Sequence, residues 1–279
     1  MGHTLRLFGR RLRHRLCGEA RIRVEGGFFL HVPRRGDEVI TPVLVHEGRW
    51  EPQETRVLLD TLQPCMTFVD VGANLGYYSV LASRRVGPQG KVLALEPAPR
   101  THRLLTWNLA DNGCRNAEAH QVALADREGG RRELVLSKTN PGDHHLAGPA
   151  GGSPAGTRTV SVPLITLDRI LAGRRVDVLK LDTQGAEAGI FRGMRATLAA
   201  NPGLVVVTEF WPHGLRRAGS DPWAFLGEIR QAGFGLELIL DDASGRPAGP
   251  GESPLELLAP GRLPELTHGE RFVNLVLRR

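Results

Sequence analysis

A doubly wound α/β fold is predicted for most of this chain, and three observations predict it. From residue 67 onward, short apolar strands alternate with helix-length stretches, the pattern of a mostly parallel sheet covered on both faces. A glycine-bearing loop, Asp70-Val71-Gly72-Ala73-Asn74-Leu75-Gly76, joins the first of these strands to its helix. An acid, Glu96, ends the second strand 20 residues beyond Gly76.

The elements follow in order. Residues 4–16 set Leu5, Phe8, Leu12 and Leu16 on one helical face, with Arg10, Arg11, Arg13 and Arg15 around the others. Residues 20–45 read as strands, with Ile22, Val24, Phe28, Leu30 and Val32 flanking a Gly26-Gly27 turn. Pro52 opens a helix carrying Val57, Leu58 and Leu62, and Pro64 ends it. Residues 1–50 thus form an N-terminal basic helix and β cap, and residues 51–279 the main domain. Within it, strands are expected at Thr67–Val71, Lys91–Glu96 and Ala119–Leu124, with helices at Tyr77–Val86 and Pro99–Asp111. An insertion occupies about residues 130–165, where Arg132–Leu136 and Val160–Leu164 alternate like two antiparallel strands. Residues 138–159 between them hold five Gly and three Pro in 22 residues, a loop long enough to act as a lid. Val176–Asp182 and Leu204–Glu209 are buried strands, Asp221-Pro222 starts a helix, and Leu236–Leu240 and Phe272–Leu277 are the last strands.

Composition narrows the class. The 279 residues are 41% hydrophobic and 24% charged, an ordinary globular balance with material for a sizeable core. No apolar run reaches the ~20 residues of a membrane span. Cys17, Cys65 and Cys114 are dispersed and form no CxxC, which fits a reduced, cytoplasmic protein without a structural zinc. The net charge of +6 is local: residues 1–35 carry nine Arg against two acids. That arm offers a peripheral membrane contact or a homodimer contact, and the neutral body argues against a nucleic-acid partner.

The loop after the first strand carries the strongest chemical signal. Gly72 permits a tight turn, Gly76 a close backbone approach, and free amides at the helix start suit an anionic group. A carboxylate at Glu96 suits the two hydroxyls of a ribose. A dinucleotide would favour GxGxxG; here the spacing is GxxxG. That spacing resembles motif I of the class I S-adenosylmethionine-dependent methyltransferases.

Further segments occur in order: FVDVGANLGYYSVLA (68–82), VLALEPAP (92–99), WNLADNG (107–113), VALAD (122–126), VPLITLD (162–168), VDVLKLDTQGAE (176–187) and VVVTEF (205–210). Together they resemble the FkbM family of methyltransferases over roughly residues 45–240. The resemblance implies a Rossmann-like, seven-stranded, mostly parallel sheet with an antiparallel last strand. It also implies S-adenosylmethionine as cofactor and O-methylation of natural products or sugars. Carried over by residue, Asp70, Gly72, Ala73, Asn74 and Gly76 would line the methionine end. Of Tyr77 and Tyr78, which follow the loop, one is expected at the cofactor or acceptor, Tyr77 taken for the cofactor, and the other packed inward. Glu96 would hold ribose, Pro97 and Ala98 would flank adenosine, and Ala123 and Leu124 would contact adenine. Asn108 is either a cofactor contact or a helix side chain bonding a neighbouring loop.

Asp182 and Glu209 end adjacent strands and should face one crevice. A hydroxyl acceptor needs its proton removed, so Asp182 is the first candidate base, also able to touch cofactor, and Glu209 the second. His213, after the fifth strand, is a third candidate; His144 and His145 lie in the lid loop. Lys180 is expected in an ion pair with Asp182 or Glu187, Glu187 as a brace for its helix, and Asp168 as a helix-start residue. Two acids could bind Mg²⁺, but a third ligand is missing after the fifth strand, so a metal is not favoured. The other readings are an N-methyltransferase, a nucleic-acid methyltransferase, an NAD-dependent oxidoreductase and a non-catalytic binding protein. The sequence lacks an Asn/Asp-Pro-Pro-aromatic motif at the fourth strand, and Cys65 precedes the first strand.

Overall fold

The computed structural model describes residues 18–148, 156–242, 244–249, 251–259 and 261–279. The basic helix expected at 4–16 and Cys17 lie outside the described residues.

The chain opens with an antiparallel hairpin, β1 (Glu19–Val24) and β2 (Phe28–Pro33), turning at Gly26 and Gly27, both at positive φ. Strand structure does not continue to residue 45. Residues Ile40–Glu47 form helix α1 instead, because Asp37 accepts the amides of Val39, Ile40 and Thr41 and so satisfies its first turn. Helix α2 (Pro52–Thr61) begins at Pro52 as expected.

The main sheet is assembled from β3 (Thr67–Val71), β4 (Lys91–Leu95) and β5 (Ala117–His120), joined by α3 (Tyr77–Val86) and α4 (Pro99–Asp111). The stretch expected as one third strand divides. After His120 the chain changes partner, and β6 (Ala123–Leu124) pairs in parallel with the insertion. An apolar run does not reveal such a change of partner. The insertion itself is β7 (Arg131–Leu136), β8 (His145–Leu146) and β9 (Arg158–Ile165), with β7 antiparallel to both of the others. The front of the expected lid loop is therefore tied down: residues 141–143 make a 3₁₀ turn, and β8 pairs with Leu134 and Val135. Helix α5 (Leu167–Leu171), strand β10 (Val178–Leu181), helices α6 (Glu187–Arg192) and α7 (Arg195–Ala200), and strand β11 (Val205–Phe210) follow. The chain ends with α8 (Pro212–Arg217), α9 (Pro222–Gln231), β12 (Gly235–Ile239), β13 (Leu255–Leu257), α10 (Arg262–Leu266) and β14 (Val273–Arg278).

The strand order is β13-β12-β14-β11-β10-β3-β4-β5. β3, β4, β5, β10 and β11 run parallel, and β14 is antiparallel to both neighbours, as expected for the last strand. The sheet has eight strands rather than seven, because β13 adds an antiparallel edge to β12. The chain builds outward from β3 to β5, then returns to the other side of β3 at β10. That reversal opens a crevice at the carboxyl ends of β3 and β10, where open α/β sheets bind ligands.

Apolar side chains cover both faces. Val71, Leu181, Val206, Phe191 and Phe225 belong to one core; Phe28, Leu30, Phe68, Tyr77, Tyr78 and Leu105 belong to the other. The second core receives the hairpin, which is also held by polar bonds. Asn108 Oδ1 accepts the His31 amide at 2.6 Å, and its Nδ2 donates to His31 O and Leu75 O. One turn later Asn112 does the same for Phe29. Two amides on one helix face thus complete the free edge of β2. Asp168 bonds the amides of Ala196 and Thr197 at the start of α7, a structural role as expected.

Candidate active site

A cavity of about 490 Å³ opens at the crevice. This is within the usual size of a small-molecule site. Its floor is the glycine loop. Gly72 (φ +83) lies so close to the loop after β10 that an added Cβ would sit 1.8 Å from the Asp182 carbonyl. Gly76 (φ +84) caps α3 beneath Leu105, whose Cδ1 would be 2.6 Å from an added Cβ. Both positions demand glycine for conformation and for space. Asn74 also takes a left-handed φ of 49°, and its Oδ1 is buried without a hydrogen-bond partner among the described residues.

Glu96 holds this end in shape. One carboxyl oxygen accepts the Asn74 amide at 2.9 Å; the other accepts the Ala98 amide at 2.8 Å and the Thr101 hydroxyl at 2.9 Å. Burial pushes its carboxyl up to about 7. Gly72, Ala73, Asn74, Tyr77, Glu96, Pro97, Ala123, Leu124 and Asp182, all expected at the cofactor, line the cavity.

Four expected residues are elsewhere. Asp70 is buried behind the loop, where it accepts the Ser79 hydroxyl at 2.5 Å and burial raises its carboxyl to about 6. Gly76 acts through packing under α3, outside the cavity wall. Ala98 is buried in the small core of the insertion. Asn108 is fully committed to the hairpin and Leu75, the structural alternative of the two. His213 is also displaced: it is exposed at the start of α8 and packs beside Trp211, because α8 carries it away from the crevice. His144 and His145 do line the cavity, as do both Tyr77 and Tyr78. Burial lowers both histidines, His144 to about 4.

The other end of the cavity is a charge cluster on strand ends. Lys180, mid-strand in β10, lies 3.0 Å from both Glu54 and Asp182, with the Tyr78 ring 4.8 Å from its ammonium. Burial opposes this charge, but Asp182, Glu54 and Glu51 outweigh it and hold the ammonium above its usual range. Lys180 pairs with Asp182 as expected, but not with Glu187. Glu187 instead accepts Thr183 and Gly185 amides, organising the turn that carries Asp182 and Gln184. Gln184 donates to Asp182 Oδ1 at 3.0 Å and to Glu209 Oε1 at 3.4 Å. Glu209 is buried, and its second oxygen has no partner among the described residues. Burial first, then Asp182 and Glu187, push its carboxyl well above the usual range.

Sequence reasoning missed Glu51 and Glu54. Glu51 lines the cavity at φ 42°, ψ 71°, a left-handed backbone that a non-glycine residue adopts at a cost. The Tyr78 hydroxyl donates to it at 2.8 Å, and burial with Glu54 nearby raises it to about 8. Its only sequence signal was an acid before Pro52, which reads as a helix start. Among the described residues, no group of three His, Cys, Asp or Glu is arranged to hold a metal ion, and no helix is long and apolar enough to cross a membrane.

The strand order, the glycine floor and the acid at the next strand end define the class I methyltransferase fold. A family model described as the methyltransferase FkbM domain matches residues 70–234, and this chain belongs to that family. It is 30% identical over 176 residues to methyltransferase sdnD of Sordaria araneosa, covering 53% of this chain and 68% of that protein. It is 29% identical over 144 residues to methyltransferase 1 of Beauveria bassiana (strain ARSEF 2860), covering 45% of this chain and 57% of that one. Among solved structures, methyltransferase FkbM of Methylobacillus flagellatus KT aligns over 81% of this chain and 50% of its own, at 13% identity and a TM-score of 0.44.

Proposed function

We propose that this methyltransferase uses S-adenosylmethionine to methylate a hydroxyl of a small metabolite, natural product or sugar. The cofactor supplies an electrophilic methyl on a sulfonium centre. The residues present suit it: the glycine floor leaves backbone within reach of its methionine part, Asn74 Oδ1 is an acceptor without a partner among the described residues, and Glu96 is set for a ribose.

The single observation that carries the reading is Asp182. Its backbone carbonyl packs against Gly72 of the cofactor loop while its carboxylate faces the cavity. Each Asp182 oxygen accepts one bond in the folded chain, from Lys180 and from Gln184, and keeps a lone pair for a further donor. An acceptor hydroxyl bonded there would give its proton to Asp182 as its oxygen attacked; bound cofactor would supply the methyl, its carbon–sulfur bond breaking to leave neutral S-adenosylhomocysteine. Burial and the neighbouring acids disfavour the charged form of Glu209, so it serves better as a binding group than as a base. The Lys180 ammonium already lies beside Asp182, so the site does not need Mg²⁺ to supply positive charge; EDTA should leave activity intact.

Asp182→Asn tests this reading in a radiolabelled methyl-transfer assay on hydroxylated acceptors. Turnover should fall by about 10²–10⁴-fold, with affinity for S-adenosylhomocysteine nearly unchanged. Full activity in the variant would move the base elsewhere, with His145 next, or point to an amine acceptor that needs none.

A further inference from the structure

The chain carries 36 basic side chains and a net charge of +6, yet its cavity is acidic. Glu51, Glu96, Asp143, Asp182, Glu209 and Glu270 line it, and Lys180 is its one Lys or Arg among the described residues. Lys180 is itself committed, at 3.0 Å from both Glu54 and Asp182. Arg217 stands outside the wall: it donates to the Gln184 carbonyl and packs over Trp211. A phosphorylated or carboxylated acceptor would therefore meet a carboxyl-lined space with no uncommitted Lys or Arg among the described residues to receive it.

Buried Glu209 adds an independent sign of a ligand. Gln184 and Asn274 flank it, but Asn274 spends its Nδ2 on Asp241, and Glu209 Oε2 remains without a partner among the described residues. A buried carboxyl oxygen left unpaired is costly unless a ligand donor completes it. Trp50, Tyr78 and Trp211 supply aromatic surface around the same space. Acids with aromatic walls are the chemistry that receives an organic cation.

We propose that the acceptor carries a protonated amine, held by Glu209 and Glu51 while its methylated group meets Asp182. This rests on the methyl-transfer reading above and specifies its substrate class as amine-bearing hydroxyl compounds. Burial, with Glu54 beside Glu51 and Asp182 beside Glu209, disfavours the charged form of both carboxyls in the free protein, and an entering ammonium supplies the charge that favours it.

The test uses the full chain saturated with S-adenosylhomocysteine, whose own ammonium and carboxylate then fill the methionine end. Three probes share one body: 2-phenylethylamine, 2-phenylethanol and phenylacetate. Binding is followed by saturation-transfer NMR and by the fluorescence of the four tryptophans, of which Trp50 and Trp211 line the cavity. The amine should bind about tenfold or more tighter than the alcohol, with phenylacetate weakest. Glu209→Gln and Glu51→Gln should each reduce that preference while S-adenosylhomocysteine still binds, which also reports an intact fold. Equal or tighter binding of the alcohol or the acid, a preference untouched in both variants, amine binding that displaces S-adenosylhomocysteine, or no probe binding would each overturn the proposal. Failure of S-adenosylhomocysteine to bind the unmodified protein would instead strike the cofactor reading, and the probes would then be compared on the protein alone.

Discussion

The two ends of the cavity are built differently. The glycine-loop end is local: Gly72, Asn74, Glu96 and Ala98 come from two consecutive strand–helix junctions, and Glu96 accepts amides at both. The charged end is assembled from distant parts of the chain. Glu51 and Glu54 come from the start of α2, Tyr78 from α3, Lys180 and Asp182 from β10 and its turn, and Glu209 from β11. The first end depends on backbone shape and close packing. The second depends on charge balance, with a single Lys180 set against several carboxylates. A rigid local end suits a group shared by a whole family, and a composite end suits a group that differs between members.

Substitutions should separate the two ends, and the largest effect is expected at the floor. Gly72→Ala puts a Cβ 1.8 Å from the Asp182 carbonyl at a left-handed φ. It should cost more than about 4 kcal/mol in denaturant unfolding, among the largest single-residue effects, and abolish binding at both ends. A mild effect would mean that the loops after β3 and β10 are not in contact.

Asn108→Ala comes next. It strands the buried amide and carbonyl of His31 and should lower stability by about 3 kcal/mol. Affinity for S-adenosylhomocysteine should hold under native conditions; a selective loss of affinity would restore the cofactor role that its position suggested.

The smallest effect is a pH slope. The Glu96 carboxyl rises from its ordinary 4.5 to about 7 on folding. Across that window the folded chain keeps a proton that the unfolded chain releases, so stability should fall as pH rises, by at most about 1.4 kcal/mol per pH unit. Glu96→Gln should flatten this part of the slope whatever its effect on absolute stability. An unchanged slope would mean that Glu96 is ionised in the free protein.

The same contrast explains what was legible in the sequence. The glycine loop, Glu96 and the alternation of strands and helices could be read because they depend on neighbours in the chain. Asp182 and Glu209 could be read because parallel strands align their carboxyl ends. Glu51 could not, since only the folding of α2 against β10 and α3 brings it to the cavity. His213 was misjudged because nothing in its segment tells which way α8 turns. Asp70 and Asn108 belong to the family motifs but support the site from behind: Asp70 holds Ser79, and Asn108 ties the hairpin to α4. Motif membership identified the neighbourhood, and burial decided which side chains reach the cavity.

The crevice between β3 and β10 is proposed to bind S-adenosylmethionine. Calorimetric titration of the purified protein with S-adenosylhomocysteine, with NAD in parallel, tests it most directly. Micromolar binding of S-adenosylhomocysteine, one molecule per chain, and no heat with NAD are the expected results. Binding of NAD alone, or S-adenosylhomocysteine binding that survives Gly72→Ala unchanged, would contradict it.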